Sequence, residues 1–197
     1  EWWCTPLWCA KNTIMLCRLK NTGGCEVMRE VLVPYAGVSP SVDSTAFIAG
    51  YARIIGDVCI GKNASIWYGT VLRGDVDKIE VGEGTNIQDN TVVHTDSMHG
   101  DTVIGKFVTI GHSCILHACT LGNNAFVGMG SIVMDRAVME EGSMLAAGSL
   151  LTRGKIVKSG ELWAGRPAKF LRMMTEEEIL YLQKSAENYI ALSRGYL

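Results

Sequence analysis

From Ile48 onward, large apolar residues return at every sixth position. The first run starts its units at Ile48, Ile54, Ile60, Ile66 and Leu72. After a break come Val81, Ile87 and Val93, and after a second Ile104, Ile110 and Leu116. A third break leads to Leu121 and a series ending at Trp163. The fifth position of a unit is usually small (Ala52, Ala64, Thr70, Thr91, Ser131, Ala137), and the second is often Gly, as in Gly61, Gly82 and Gly105. A period of six fits neither an α-helix nor long strand alternation. It predicts a short flat strand and a corner, three of which close one triangular coil. The expected fold is therefore mainly β, a parallel β-helix over residues 48–170, preceded by a lead-in at 28–47. The segment "AGRPAKFLR" exits the coil, and residues 171–197 hold a C-terminal helix. In that helix Thr175 and Glu178 form a capping-box pattern and Gly195 suits its stop. Ile179, Leu182, Ala186, Tyr189 and Ile190 form the side expected to pack on the β-helix.

The three breaks carry the chemistry. They contain "RGDVDKIE", "HTDSMHGDT" and "HACT". Sequence rules fail most often at functional sites. Units three apart stack on one face at about 4.8 Å. Arg73, His94 and His117 are second residues of such units, so they form one column. Asp89 and His112 are third residues of another such pair and form a second column on a different face, with Gln88 beside Asp89. If prisms assemble in a three-fold ring, the first column of one subunit can face the second column of the next. Three imidazoles plus a water is the pattern of an open zinc site, and iron or cobalt also suits imidazole.

Composition narrows the class. The net charge of −2 is evenly mixed, so there is neither a nucleic-acid stripe nor a polybasic membrane patch. No apolar run reaches the roughly 18 residues of a spanning helix. The seven cysteines contain no C-x-x-C pair, and Cys114 and Cys119 fall at packing positions, which suits a reducing cytoplasmic compartment, or an organelle in a eukaryote. Residues 1–27, with three Trp and no clear period, read as an extension ahead of a start at Met28, or as a targeting or partner-binding tail.

The stretches "WYGTVLRGDVDKIEVGEGTNIQDNTVVH" and "TIGHSCILHACTLGNNAFVGMGSIVMD" resemble the γ-class carbonic anhydrases of the hexapeptide-repeat superfamily. The resemblance runs from about Val38 through the C-terminal helix. It implies a left-handed β-helix and a homotrimer with metal sites shared between adjacent subunits. His94 and His117 then come from one subunit and His112 from the next. Arg73 and Asp75 match an R-G-D element that helps hold the trimer. Gln88 matches a glutamine that orients the metal-bound water, Asp89 an aspartate that pairs with arginine across the interface, and Asn86 a supporting asparagine. Tyr189 matches a helix tyrosine that reaches the pocket in some relatives, and core packing is an equal reading. The implied reaction is reversible hydration of CO2 to bicarbonate by metal-bound hydroxide, with zinc bringing the pKa of water to about 7. The founding members carry glutamates in an acidic loop as proton shuttle; the loop here has only Asp96, His99 and Asp101, of which His99 has the chemical type of a shuttle. Two alternatives stand: a hexapeptide acyl-CoA transferase or thioesterase, and a non-catalytic binding or assembly protein.

Overall fold

A computed structural model of the chain describes residues 31–196; the extension at 1–27, with Cys4, Cys9, Cys17 and Cys25, lies outside them. The six-residue units build a parallel β-solenoid of about seven turns with one C-terminal helix. On the first face, Arg53–Ile60, Val71–Val81, Val92–His94, Ile115–His117, Ile132–Val133 and Leu150–Leu151 stack in register, with Leu32–Val33 added below. Arg53–Ile60 and Val71–Val81 continue round a corner to the second face, which ends at Ile156–Val157. The third face runs from Phe47–Ile48 through Asn86–Ile87 and Thr109–Ile110 to Glu161–Gly165.

The repeat explains the core. Every unit-initial residue from Ile54 to Val157 is buried, and the small fifth positions are buried with them. Ile48 and Trp163, at the two ends of the stack, pack against the core partly buried. The corners need more than small residues. The fourth position of most units has positive φ, as at Asn63 (54°), Asn90 (59°), Gly142 (62°) and Gly154 (69°). Gly and Asn adopt that left-handed conformation at least cost. The second-position glycines serve close approach instead: a Cβ on Gly105 would lie 2.8 Å from the Asn123 nitrogen of the next coil.

Two expectations change at the C-terminal end. The exit segment does not simply leave the coil: Ala168–Met173 folds back antiparallel on Glu161–Gly165, because that last strand has an open edge to fill. The helix is Glu176–Arg194, so the first residues of the 171–197 segment belong to that returning strand rather than to the helix. Thr175 caps the helix and the reciprocal bonds with Glu178 are both present. Arg172 reaches from the returning strand and donates to both Glu178 carboxylate oxygens, at 2.7 and 2.8 Å. Leu182 and Ala186 are buried, Tyr189 and Ile190 half-buried, but Ile179 is 47% exposed. Ile179 sits one turn from the helix start, on the rim of the stripe; Ser185 and Ser193 take the buried positions further along. Leu182 packs on Leu162 and Met174, whereas Tyr189 packs on Phe47, Ala49 and Trp67. The helix therefore runs back along the third face, from late coils to early ones. No helix among the described residues is long and apolar enough to cross a membrane.

Candidate metal centre

The breaks in the repeat deliver the site. Between Gly56 and Val58 the register of Arg53–Ile60 against Val71–Val81 shifts, so residues 75–78 bulge out of the ladder. The bulge turns Asp75 toward the first column. Arg73, His94 and His117 stack there in register, as the unit arithmetic requires. Arg73 donates to Asp75 Oδ2 at 2.6 Å, and Asp75 Oδ1 lies 3.0 Å from His94 Nε2. Burial pushes the Asp75 carboxyl up, but hydrogen bonds from Arg73 and His94 and the charge of Arg73 outweigh it and hold it below the usual range. One coil above His117, Asp135 Oδ1 lies 2.6 Å from His117 Nδ1. Its carboxyl is also held low: burial raises it, and the His117 hydrogen bond leads the contributions that lower it.

His94 Nδ1 and His117 Nε2 face each other at 3.2 Å. Each ring gives its other nitrogen to a carboxylate, which accepts an N–H there. With both ring protons on the carboxylate sides, the two facing nitrogens are both acceptors; a proton on either one joins the rings by a hydrogen bond instead. Tetrahedral zinc with nitrogens at 2.0–2.1 Å needs nitrogens about 3.3 Å apart, so the observed separation fits.

The second column forms on the third face. His112 Nδ1 lies 2.8 Å from Asp89 Oδ2, so a proton donated there leaves Nε2 as the acceptor nitrogen of the ring. His112 does not meet His94 and His117 in one chain: among the described residues no group of three or more His, Cys, Asp or Glu is arranged to hold a metal. Beside this column Gln88 is buried, and its amide donates to Asn86 Oδ1 at 3.1 Å. Asn86 donates to Thr109 Oγ1 at 2.9 Å, and Thr109 to Ser185 Oγ of the helix at 3.1 Å. The orientation of Gln88 is thus tied to the helix.

Other ionisable residues fall into place around these columns. His99 is near enough to Asp135 for its charge to help lower that carboxyl, and its Nε2 is 3.9 Å from Asp96 Oδ1, too far for a hydrogen bond. Asp101 and Asp77 share the Lys78 backbone N–H, at 3.2 and 2.9 Å, and Asp101 is pushed up to about 6, first by burial and then by its hydrogen bond with Asp77. Tyr189 stacks edge-on against Trp67, with centroids 5.5 Å apart. Burial pushes the Cys114 and Cys119 thiols up to about 11 and 12, so both are packing residues. The sequence reading missed Asp135. The signal was available: Asp135 is the third residue of the unit stacked directly above that of His117, one coil beyond the column as traced.

Comparison with known proteins gives a consistent set. The chain is 53% identical over 161 residues to the mitochondrial gamma carbonic anhydrase 2 of Arabidopsis thaliana, covering 79% of this chain and 58% of that protein. It is 43% identical over 166 residues to a carbonic anhydrase of Geobacillus kaustophilus, covering 84% of this chain and 91% of that protein. The chain spans only 58 to 63% of the length of three such plant relatives. Among solved structures, a hexapeptide transferase family protein from Anaplasma phagocytophilum is 97% identical with a TM-score of 0.84, covering 86% of this chain and all of that one. No protein-family model matches the chain.

Proposed function

Since this chain belongs to the γ-class carbonic anhydrase family, we propose that it catalyses the reversible hydration of CO2 to bicarbonate at a metal centre shared between subunits of a homotrimer. The observation that carries this reading is the close pair of imidazoles, His94 Nδ1 and His117 Nε2 at 3.2 Å, each ring bonded to a carboxylate through its other nitrogen. His94 and His117 hold the metal from one subunit, and His112 Nε2 of the adjacent subunit completes the set. Zinc is the first choice, with Fe2+ or Co2+ as alternatives. Bound there, the metal supplies a Lewis acid that makes water nucleophilic near neutral pH.

The chain's own residues do the rest. Asp75 orients His94, and Arg73 holds Asp75. Asp89 orients His112 and meets arginine across the interface. Gln88, steadied by Asn86, accepts from or donates to the reacting water and so fixes its direction. His99 carries the product proton outward, in place of the glutamates that the loop lacks. The outward aliphatic column of Val92 and Ile115, 40% and 44% exposed on the first face, supports a protein partner there, and a second copy of the chain is the one that brings His112. The free thiols of Cys114 and Cys119 suit a reducing compartment, the cytoplasm or, in a eukaryote, an organelle.

The test is metal analysis of the purified protein together with stopped-flow CO2 hydration, run beside thioesterase and acetyl-CoA transfer assays. The expected result is one metal per chain and hydration lost in His94→Ala, His112→Ala and His117→Ala. A His99→Ala variant should slow turnover and regain rate with added buffer. Absence of metal overturns the reading. Metal with acyl-CoA turnover and no hydration favours the transferase class named for the Anaplasma relative.

A further inference from the structure

The His117 ring has two places to put its proton. On Nδ1 the proton is donated to Asp135 Oδ1 at 2.6 Å. On Nε2 it would be donated instead to His94 Nδ1, 3.2 Å away. The second choice joins the two histidines by a hydrogen bond and removes both lone pairs from use. The first leaves both open. The two tautomers of one ring thus correspond to a metal-ready pair and a closed pair.

Asp135 is built to decide between them. Its backbone is held from the coils on either side. The Asp135 carbonyl accepts from Gly154 N at 3.0 Å, and the next residue, Arg136, at φ 58°, donates its N–H to Ala118 O at 2.7 Å. Ala118 itself, at φ 44°, makes the short five-residue unit that turns directly after His117. Both ends of the contact therefore sit on corners whose backbones are bonded to one another. The Asp135 side chain is only 18% exposed, so water competes weakly for its carboxylate.

We infer that Asp135 is a positioning residue that locks His117 in the Nδ1–H tautomer and so keeps the His94–His117 pair open for a metal. This inference rests on the metal reading above for its purpose, but not for its test. Outer carboxylate partners of metal-binding histidines fix tautomer and ring direction, and their loss costs about 10–100-fold in metal affinity.

The experiment uses the full chain, stripped of metal by a chelator and labelled with 15N in histidine. Long-range 1H–15N spectra at pH 8.5 report which ring nitrogen carries the proton. His117 of the unaltered protein is expected to show Nδ1–H. Asp135→Ala is expected to move it to Nε2–H, and zinc affinity measured against a competing chelator should fall about 10–100-fold. Asp135→Asn keeps the shape of the side chain but brings an amide N–H that can donate to Nδ1; it too should move His117 toward Nε2–H, and it carries the test should the alanine variant fold poorly, an unchanged tautomer in it counting against the inference. An unchanged tautomer in Asp135→Ala, or Nε2–H in the unaltered protein, overturns the inference. If the unaltered protein binds no zinc at all, the proposed function fails, while the tautomer comparison still decides what Asp135 does.

Discussion

Asp101 shows how one residue can make stability depend on pH. Its carboxyl has an ordinary value of 3.8 and is pushed up to about 6, by burial first and then by Asp77. The folded value lies above the unfolded one, so the folded chain holds a proton that the unfolded chain releases. That stabilisation is complete below pH 3.8 and is lost as pH rises through 6. Above that range two carboxylates face each other over the Lys78 N–H. Asp101→Asn cannot ionise and can donate to Asp77. Its melting temperature should exceed that of the parent at pH 7.5, and the gap should shrink toward pH 4. A variant that melts lower at pH 7.5 would remove the carboxyl pair from consideration.

At the scale of elements, the helix is where local rules and tertiary contacts meet. Thr175 and Glu178 define its start, and Arg172 clamps Glu178 so firmly that the carboxyl is pulled down to about 2. The length of the helix follows from the face it covers: 19 residues span about 28 Å, or about six coils. Leu182→Ala should cost about 2–5 kcal/mol, since the side chain is 2% exposed between Leu162 and Met174. Thr175→Ala should cost about 1 kcal/mol through the lost cap. Urea melts of both variants followed by helix circular dichroism give these values. Equal losses would mean that the helix is held by its cap rather than by the face beneath. The expected stripe was legible except at Ile179, because helical periodicity names an arc of side chains and not the width of the surface that receives it.

For the whole molecule, the proposed division of the site between subunits makes a distinctive prediction. His94→Ala subunits retain His112, and His112→Ala subunits retain His94 and His117. Each homotrimer alone should bind no metal. Mixed by co-refolding, they should regain metal and activity at about one interface in four, from random assortment around a closed ring. Metal content and CO2 hydration of the mixture measure this directly. No recovery, in mixtures shown by mass spectrometry to contain both subunits, would mean that the three histidines never share an ion.

The sequence by itself determined the coil, its core and the two histidine columns. In a stacked repeat the neighbour of any residue follows from counting units, and burial of one residue in six sets that count. Arg73, His94 and His117 were found together in this way, and so were Asp89 and His112. Only the tertiary structure decided which atoms meet. The bulge at residues 75–78 turns Asp75 onto His94, the corner after Val133 turns Asp135 onto His117, and each carboxylate meets one particular nitrogen of its ring. These contacts depend on side-chain direction at corners and insertions. There the period is broken, so a rule built on the period has nothing to say about which way a side chain points.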